Sequence, residues 1–166
     1  MSTRAIVGIM NEKNGNIIGG WQWNDGGNLG YQLRNNFKTK EDVMELVQQG
    51  VWSSLFTPRD TSLKEWQDVC AKRPNEYQLI PVKNCYVLKQ PHHLTENFVQ
   101  GREVVTYGTA LLFKNIAVAF GQDINYVYLF NPKTGKWKTF GQRYSYDYLK
   151  KFCDSTPVNQ HSKLLE

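Results

Sequence analysis

The sequence predicts an α+β fold, a single domain over residues 1–153 with a mainly antiparallel sheet and helices packed on it. Two observations lead there. An apolar run, Ala5-Ile6-Val7-Gly8-Ile9, precedes Asn14-Gly15, the strongest short hairpin signal. The order that follows (helices, strands, a helix, a second hairpin and a last helix) is that of an antiparallel sheet with helices on it. The 166 residues suffice for one core and are too few for two.

Arg4 to Met10 is apolar at every inner position and reads as a central strand buried on both faces. In the next strand, Asn16 to Asn24, Ile17, Gly19, Trp21 and Trp23 share one face and Ile18, Gly20 and Gln22 the other. Gly19-Gly20 suggests a bulge or a close backbone approach. After the turn Asp25-Gly26-Gly27-Asn28, a short helix can run through Leu29, Leu33 and Phe37. Thr39 caps a firmer helix with Glu41 and Asp42 in its first turn, a stripe of Val43, Leu46 and Val47, and Gly50 as its stop.

Ser62-Leu63-Lys64-Glu65 has capping-box spacing before a helix through Leu63, Trp66, Val69 and Cys70. Tyr77 to Ile80 and Cys85 to Leu88 read as strands separated by an irregularity at Pro81. Residues 90–102 read as a long surface loop, and Glu103 to Tyr107 as a short strand. Thr109 to Phe120 is apolar nearly throughout; its alanines, a Thr at one end and Gly121 at the other favour a buried helix. Ile124 to Phe130 is the clearest strand, turning at Asn131-Pro132-Lys133-Thr134-Gly135 into Lys136 to Phe140. Tyr144 to Cys153 forms a last helix through Tyr148, Leu149 and Phe152. Residues 154–166 are expected to be a flexible tail, with Leu165-Glu166 a cloning remnant.

Composition excludes some classes. No apolar run approaches the roughly 18 residues of a membrane span, and nothing resembles a signal peptide. Three cysteines at unrelated spacings fit small buried hydrophobes in a reducing cytoplasm. A net charge of +5 permits contact with nucleic acid or an acidic protein without demanding it.

Several short pieces together resemble a family of short phage, prophage and mobile-element proteins whose function is not known. The pieces are Met1-Ser2-Thr3-Arg4, Asp25-Gly26, Gly30 with Leu33, Thr39 to Gly50, Ser53-Ser54-Leu55, Tyr126 to Phe130 and Gly135-Lys136-Trp137. They span about two-thirds of the chain. Trp23 stands where that family often has His, so chemistry requiring that His is not expected here. The resemblance implies a setting, phage or prophage in a bacterial cytoplasm, and no activity.

No motif specifies a reaction. The enzyme alternative is Ser2: loss of Met1 would give it a free amine as its own base, as in N-terminal-nucleophile hydrolases. His92-His93 with Cys85 or His161 lacks the paired spacing of a zinc site, and Gly135-Lys136 lacks the rest of a phosphate loop. No metal and no cofactor are therefore expected. Lys136-Trp137-Lys138 places an aromatic between two cations in a stretch, 123–166, that carries a net +3, so nucleic acid is one candidate partner. Trp21 and Trp23 either fill the core or form an exposed anchor pair of the kind that dominates interfaces. The expectation is a binding protein without membrane contact, whose first-choice partner is a protein met by Arg4, Trp23, Asn24 and Asp25. Nucleic acid on Lys136, Trp137 and Lys138 is the second choice, and a homodimer is compatible with either.

Overall fold

A computed structural model of the chain describes residues 3–90, 104–107, 110–121, 123–141 and 146–166. Ser2, His92, His93, Thr109, Tyr144 and nearly all of the expected 90–102 loop lie outside these residues. The larger sheet has the order β10 (Lys136–Phe140), β9 (Tyr126–Asn131), β1 (Ala5–Met10), β2 (Ile17–Gln22), β8 (Ala110–Phe113) and β7 (Val104–Tyr107). β3 (Val51–Trp52) takes the end of β2 that β8 leaves open. The smaller sheet is β4 (Ser54–Phe56), β6 (Cys85–Lys89) and β5 (Gln78–Val82). Pairing is antiparallel except for β1 with β9 and β2 with β3. The α+β class read from the sequence is the observed one.

β1 is buried at all six positions because both of its faces carry core. Ala5, Val7 and Ile9, with Tyr128 and Phe130 beside them, pack under α1 (Leu29–Asn36) and α2 (Lys40–Val47). Ile6 and Met10 belong to the opposite layer, with α4 (Ile116–Phe120), α5 (Tyr146–Ser155) and the C-terminal segment. The β1–β2 register runs unbroken from Ala5–Gln22 to Met10–Ile17, so Gly19-Gly20 forms no bulge. Gly20 instead admits the Trp52 ring: a Cβ there would lie 2.2 Å from the indole.

α2 starts at a complete capping box. Thr39 Oγ1 accepts from the Asp42 amide at 3.1 Å, and Asp42 Oδ2 accepts from the Thr39 amide. Asp42 also meets Lys83 Nζ at 3.0 Å, and that contact, ahead of the amides, holds its carboxyl below the ordinary value of 3.8. A carboxylate with a depressed folded-state pKa adds stability that is present above the unfolded value and lost as pH falls through the folded one. Lys83 is left-handed (φ 55°), a conformation asparagine tolerates. Lys83→Asn should therefore keep the turn, raise the Asp42 pKa and move acid unfolding to higher pH. An NMR titration of Asp42 with circular dichroism against pH checks this.

The structure corrects several expectations. Where one helix was expected over 109–120, residues 110–120 form two elements: β8 ends at Phe113, and Asn115 Oδ1 caps the separate α4 by accepting from the Val118 amide. An apolar run buried on both faces has no period to distinguish the two. The box expected at Ser62, the first residue of α3 (Ser62–Lys72), does not form, because Thr61 is already helical and Asp60 closes the preceding turn on the Thr57 amide at 2.6 Å. Pro81 lies within β5 and interrupts nothing, since among the described residues β5 is an edge strand and an edge needs no donor on its outer side. α5 buries Leu149 and Cys153, while Tyr148 is exposed. The expected tail is folded: α5 runs to Ser155 and Val158–Leu165 forms a 3₁₀ helix that buries His161 and Leu164. Residues three apart share one face of such a helix, a spacing that a search for a 3.6-residue period passes over.

Candidate binding corner

At the N-terminal end of β1, the sequence-predicted residues Arg4, Trp23, Asn24 and Asp25 are placed by three strands. The Arg4 amide donates to Asn125 Oδ1 at 3.0 Å, and its carbonyl accepts from the Asn125 amide. Its guanidinium donates through Nε to the Asp123 carbonyl at 2.9 Å and lies 5.8 Å from the Trp23 ring centroid. Such a cation–π contact contributes about 0.5–1 kcal/mol at a surface, and with the carbonyl it confines the Arg4 head.

Of the two roles left open by the sequence, an exposed anchor pair does not form, since both Trp21 and Trp23 pack on the core. Trp21 belongs to the core, at 4% exposure, whereas Trp23 is half-buried on its rim, with ring centroids 5.7 Å apart. The Trp23 and Asn24 amides donate to the carbonyls of Trp52 and Ser53, which continues the β2–β3 pairing to the corner. A buried relay supports it: Trp52 Nε1 donates to Gln22 Oε1 at 2.7 Å, and Gln22 Nε2 donates to the Asn24 carbonyl at 2.6 Å.

Asp25 is exposed and left-handed (φ 59°), a conformation found in only a few per cent of non-glycine residues and one that aspartate tolerates. The next residue locks it. The Gly26 amide donates to the Thr3 carbonyl at 2.9 Å, and the Gly26 carbonyl accepts from the Tyr128 hydroxyl at 2.6 Å. Burial pushes that phenol up to about 12, so it remains a donor at physiological pH. The Arg4 guanidinium and the Trp23 indole thus meet, with the exposed Asp25 two residues further along the chain, on backbone held from β1, β3 and β9.

No protein-family model, curated protein or solved structure matches the chain.

The second predicted set is divided by the pleat. Lys136 and Lys138 lie on one face of β10 and Trp137 on the other. The Trp137 indole packs on Phe130 and donates to the Phe37 carbonyl at 2.9 Å, while Lys138 Nζ reaches the Glu166 carbonyl at 3.1 Å. Trp137 is therefore a half-buried brace between β10 and the end of α1, not a ring flanked by two cations.

Other reactive groups are held by the fold. The three cysteines are free, and burial raises every thiol, that of Cys85 to about 11. Lys89, also buried, donates to the Gln49 carbonyl at 2.7 Å just after α2, and burial lowers its ammonium pKa. Among the described residues no group of three or more His, Cys, Asp or Glu could hold a metal ion, and no helix is long and apolar enough to cross a membrane. Asp123 and Asn125, which fix Arg4, were not singled out in the sequence. Their signal is slight: Asp123 is a polar residue just before the strongest strand and Asn125 is a polar position near that strand's start.

Proposed function

We propose that this protein is a binding module that recognises a protein partner through Arg4, Trp23, Asn24 and Asp25. The observation that carries the reading is the contact of Arg4 with Trp23 on hydrogen-bonded backbone, two residues before the exposed Asp25. Trp and Arg are enriched among residues that dominate interface energy, and a surface already held by its backbone loses little freedom on binding. The setting, an accessory protein of phage or prophage origin in a bacterial cytoplasm, rests on the resemblance of the short sequence pieces.

The test uses the protein and its Arg4→Ala/Trp23→Ala variant as paired baits in host lysate, with quantitative mass spectrometry and circular dichroism of both. The expected result is a partner held by the native surface and lost from a folded variant. Equal capture of the same proteins by both baits overturns the reading.

A further inference from the structure

A cavity of about 640 Å³ opens at the other end of β1, beside the β1–β2 turn. Six residues of strand put it on the order of 20 Å from the Arg4 corner. Its floor is set by register: Ile9 pairs with Ile18 and Ile18 with Leu112, so three aliphatic side chains stand side by side across β1, β2 and β8. Ile9 is buried, but Ile18 and Leu112 are only half-covered, and Met44 of α2 forms one wall.

The rim is basic. Lys13, Lys40 and Lys133 line it with a single carboxylate among the described lining residues, Glu12. Glu12 is paired with Lys133 at 2.9 Å, which leaves the exposed Lys13 and Lys40 facing the opening. An apolar floor under a cationic rim suits a ligand that is apolar and acidic at once. The described lining contains no aromatic ring on which a base could stack, unlike single-strand nucleic-acid grooves. A second copy of this chain, itself at net +5, would bring like charge to the rim.

We propose that this groove is a second binding site, which takes a segment of a partner protein carrying aliphatic side chains flanked by carboxylates. The probe is a short fluorescein-labelled peptide of alternating glutamate and leucine, titrated by anisotropy at low and high salt. Binding should weaken with salt. It should fall about tenfold in Ile18→Gln, through lost apolar contact, and comparably in Lys40→Glu, where an acidic residue in the first turn of α2 leaves the helix intact. Lys150→Gln on α5 should bind as the native protein does. Absence of binding, or native affinity in both groove variants, overturns the proposal. So does displacement of the peptide by a DNA duplex at equal charge, or a concentration-dependent dimer that Ile18→Gln dissolves. The titration does not involve the partner captured through Arg4 and Trp23, so either site can fail without the other.

Discussion

Replacing Gly20 with alanine should destabilise the protein by about 1–3 kcal/mol, and valine there should cost more, because both overfill a packed core. The added carbon would fall 2.2 and 2.4 Å from two atoms of the Trp52 ring and 3.1 Å from the Gly50 carbonyl. The ring has little freedom to yield. Trp52 is fully buried, its nitrogen is bonded to Gln22, and its backbone carbonyl accepts from Trp23. For a chain of this size the loss should lower Tm by roughly 2–12 °C. The cause is separable by a double-mutant cycle in urea. Trp52→Leu is itself destabilising, but it should make room for the methyl, so Gly20→Ala/Trp52→Leu should be more stable than the sum of the single changes. Strict additivity would show that the indole is not what Gly20 accommodates.

Deletion of residues 157–166 should have an effect of similar or greater size. His161 and Leu164 are buried, Leu165 packs on the same layer, and the Lys138 contact with Glu166 goes with them. The segment also closes over the β1–β2 turn, since a Cβ at Gly15 would lie 2.7 Å from His161 Nδ1. Burying one leucine contributes about 1.5–3 kcal/mol, so losing the whole segment should cost roughly 3–5 kcal/mol. That is a large part of the 5–15 kcal/mol typical of a domain. Urea unfolding of the full and shortened chains measures it. A change within about 0.5 kcal/mol, as for an ordinary surface substitution, would show that the segment contributes nothing to the core.

These two regions also mark how far the sequence could be read. The β1–β2 pair, the Thr39 helix and the Tyr126 hairpin were legible because each carries its own local signal: a doubly apolar strand, a capping threonine, a Pro–Gly turn. Gly20 was legible only in part. A glycine pair announces a bulge or a close approach, and choosing between them required Trp52, thirty-two residues away in the chain and against it in space. The parallel pairing of β1 with β9 had no local signal, because strands so far apart in sequence are joined only by the sheet itself.

The candidate sites divide in the same way. Arg4 and Trp23 stood out by residue type, and the fold brings them into contact. Asp123 and Asn125, which hold Arg4, are ordinary polar residues that acquire a role only once β9 lies beside β1. Lys136, Trp137 and Lys138 looked like one patch because they are consecutive, yet the pleat alternates their faces and Phe37 takes the indole bond. The groove was invisible because its floor comes from three strands in register and its rim from turns and a helix.

We propose that a protein partner binds at the corner formed by Arg4, Trp23 and Asp25. The most direct test is the Kd of the captured partner, measured by calorimetry for the native protein, Trp23→Ala and Asp25→Asn, with the folding stability of each. Asparagine keeps the left-handed turn and removes only the charge. A hot-spot tryptophan contributes about 2 kcal/mol or more, so Trp23→Ala should weaken binding roughly 30-fold or more. Asp25→Asn should show a smaller loss, greatest at low salt, as expected of a charge at the rim. Native affinity in both folded variants would place the partner elsewhere on the protein and contradict the account.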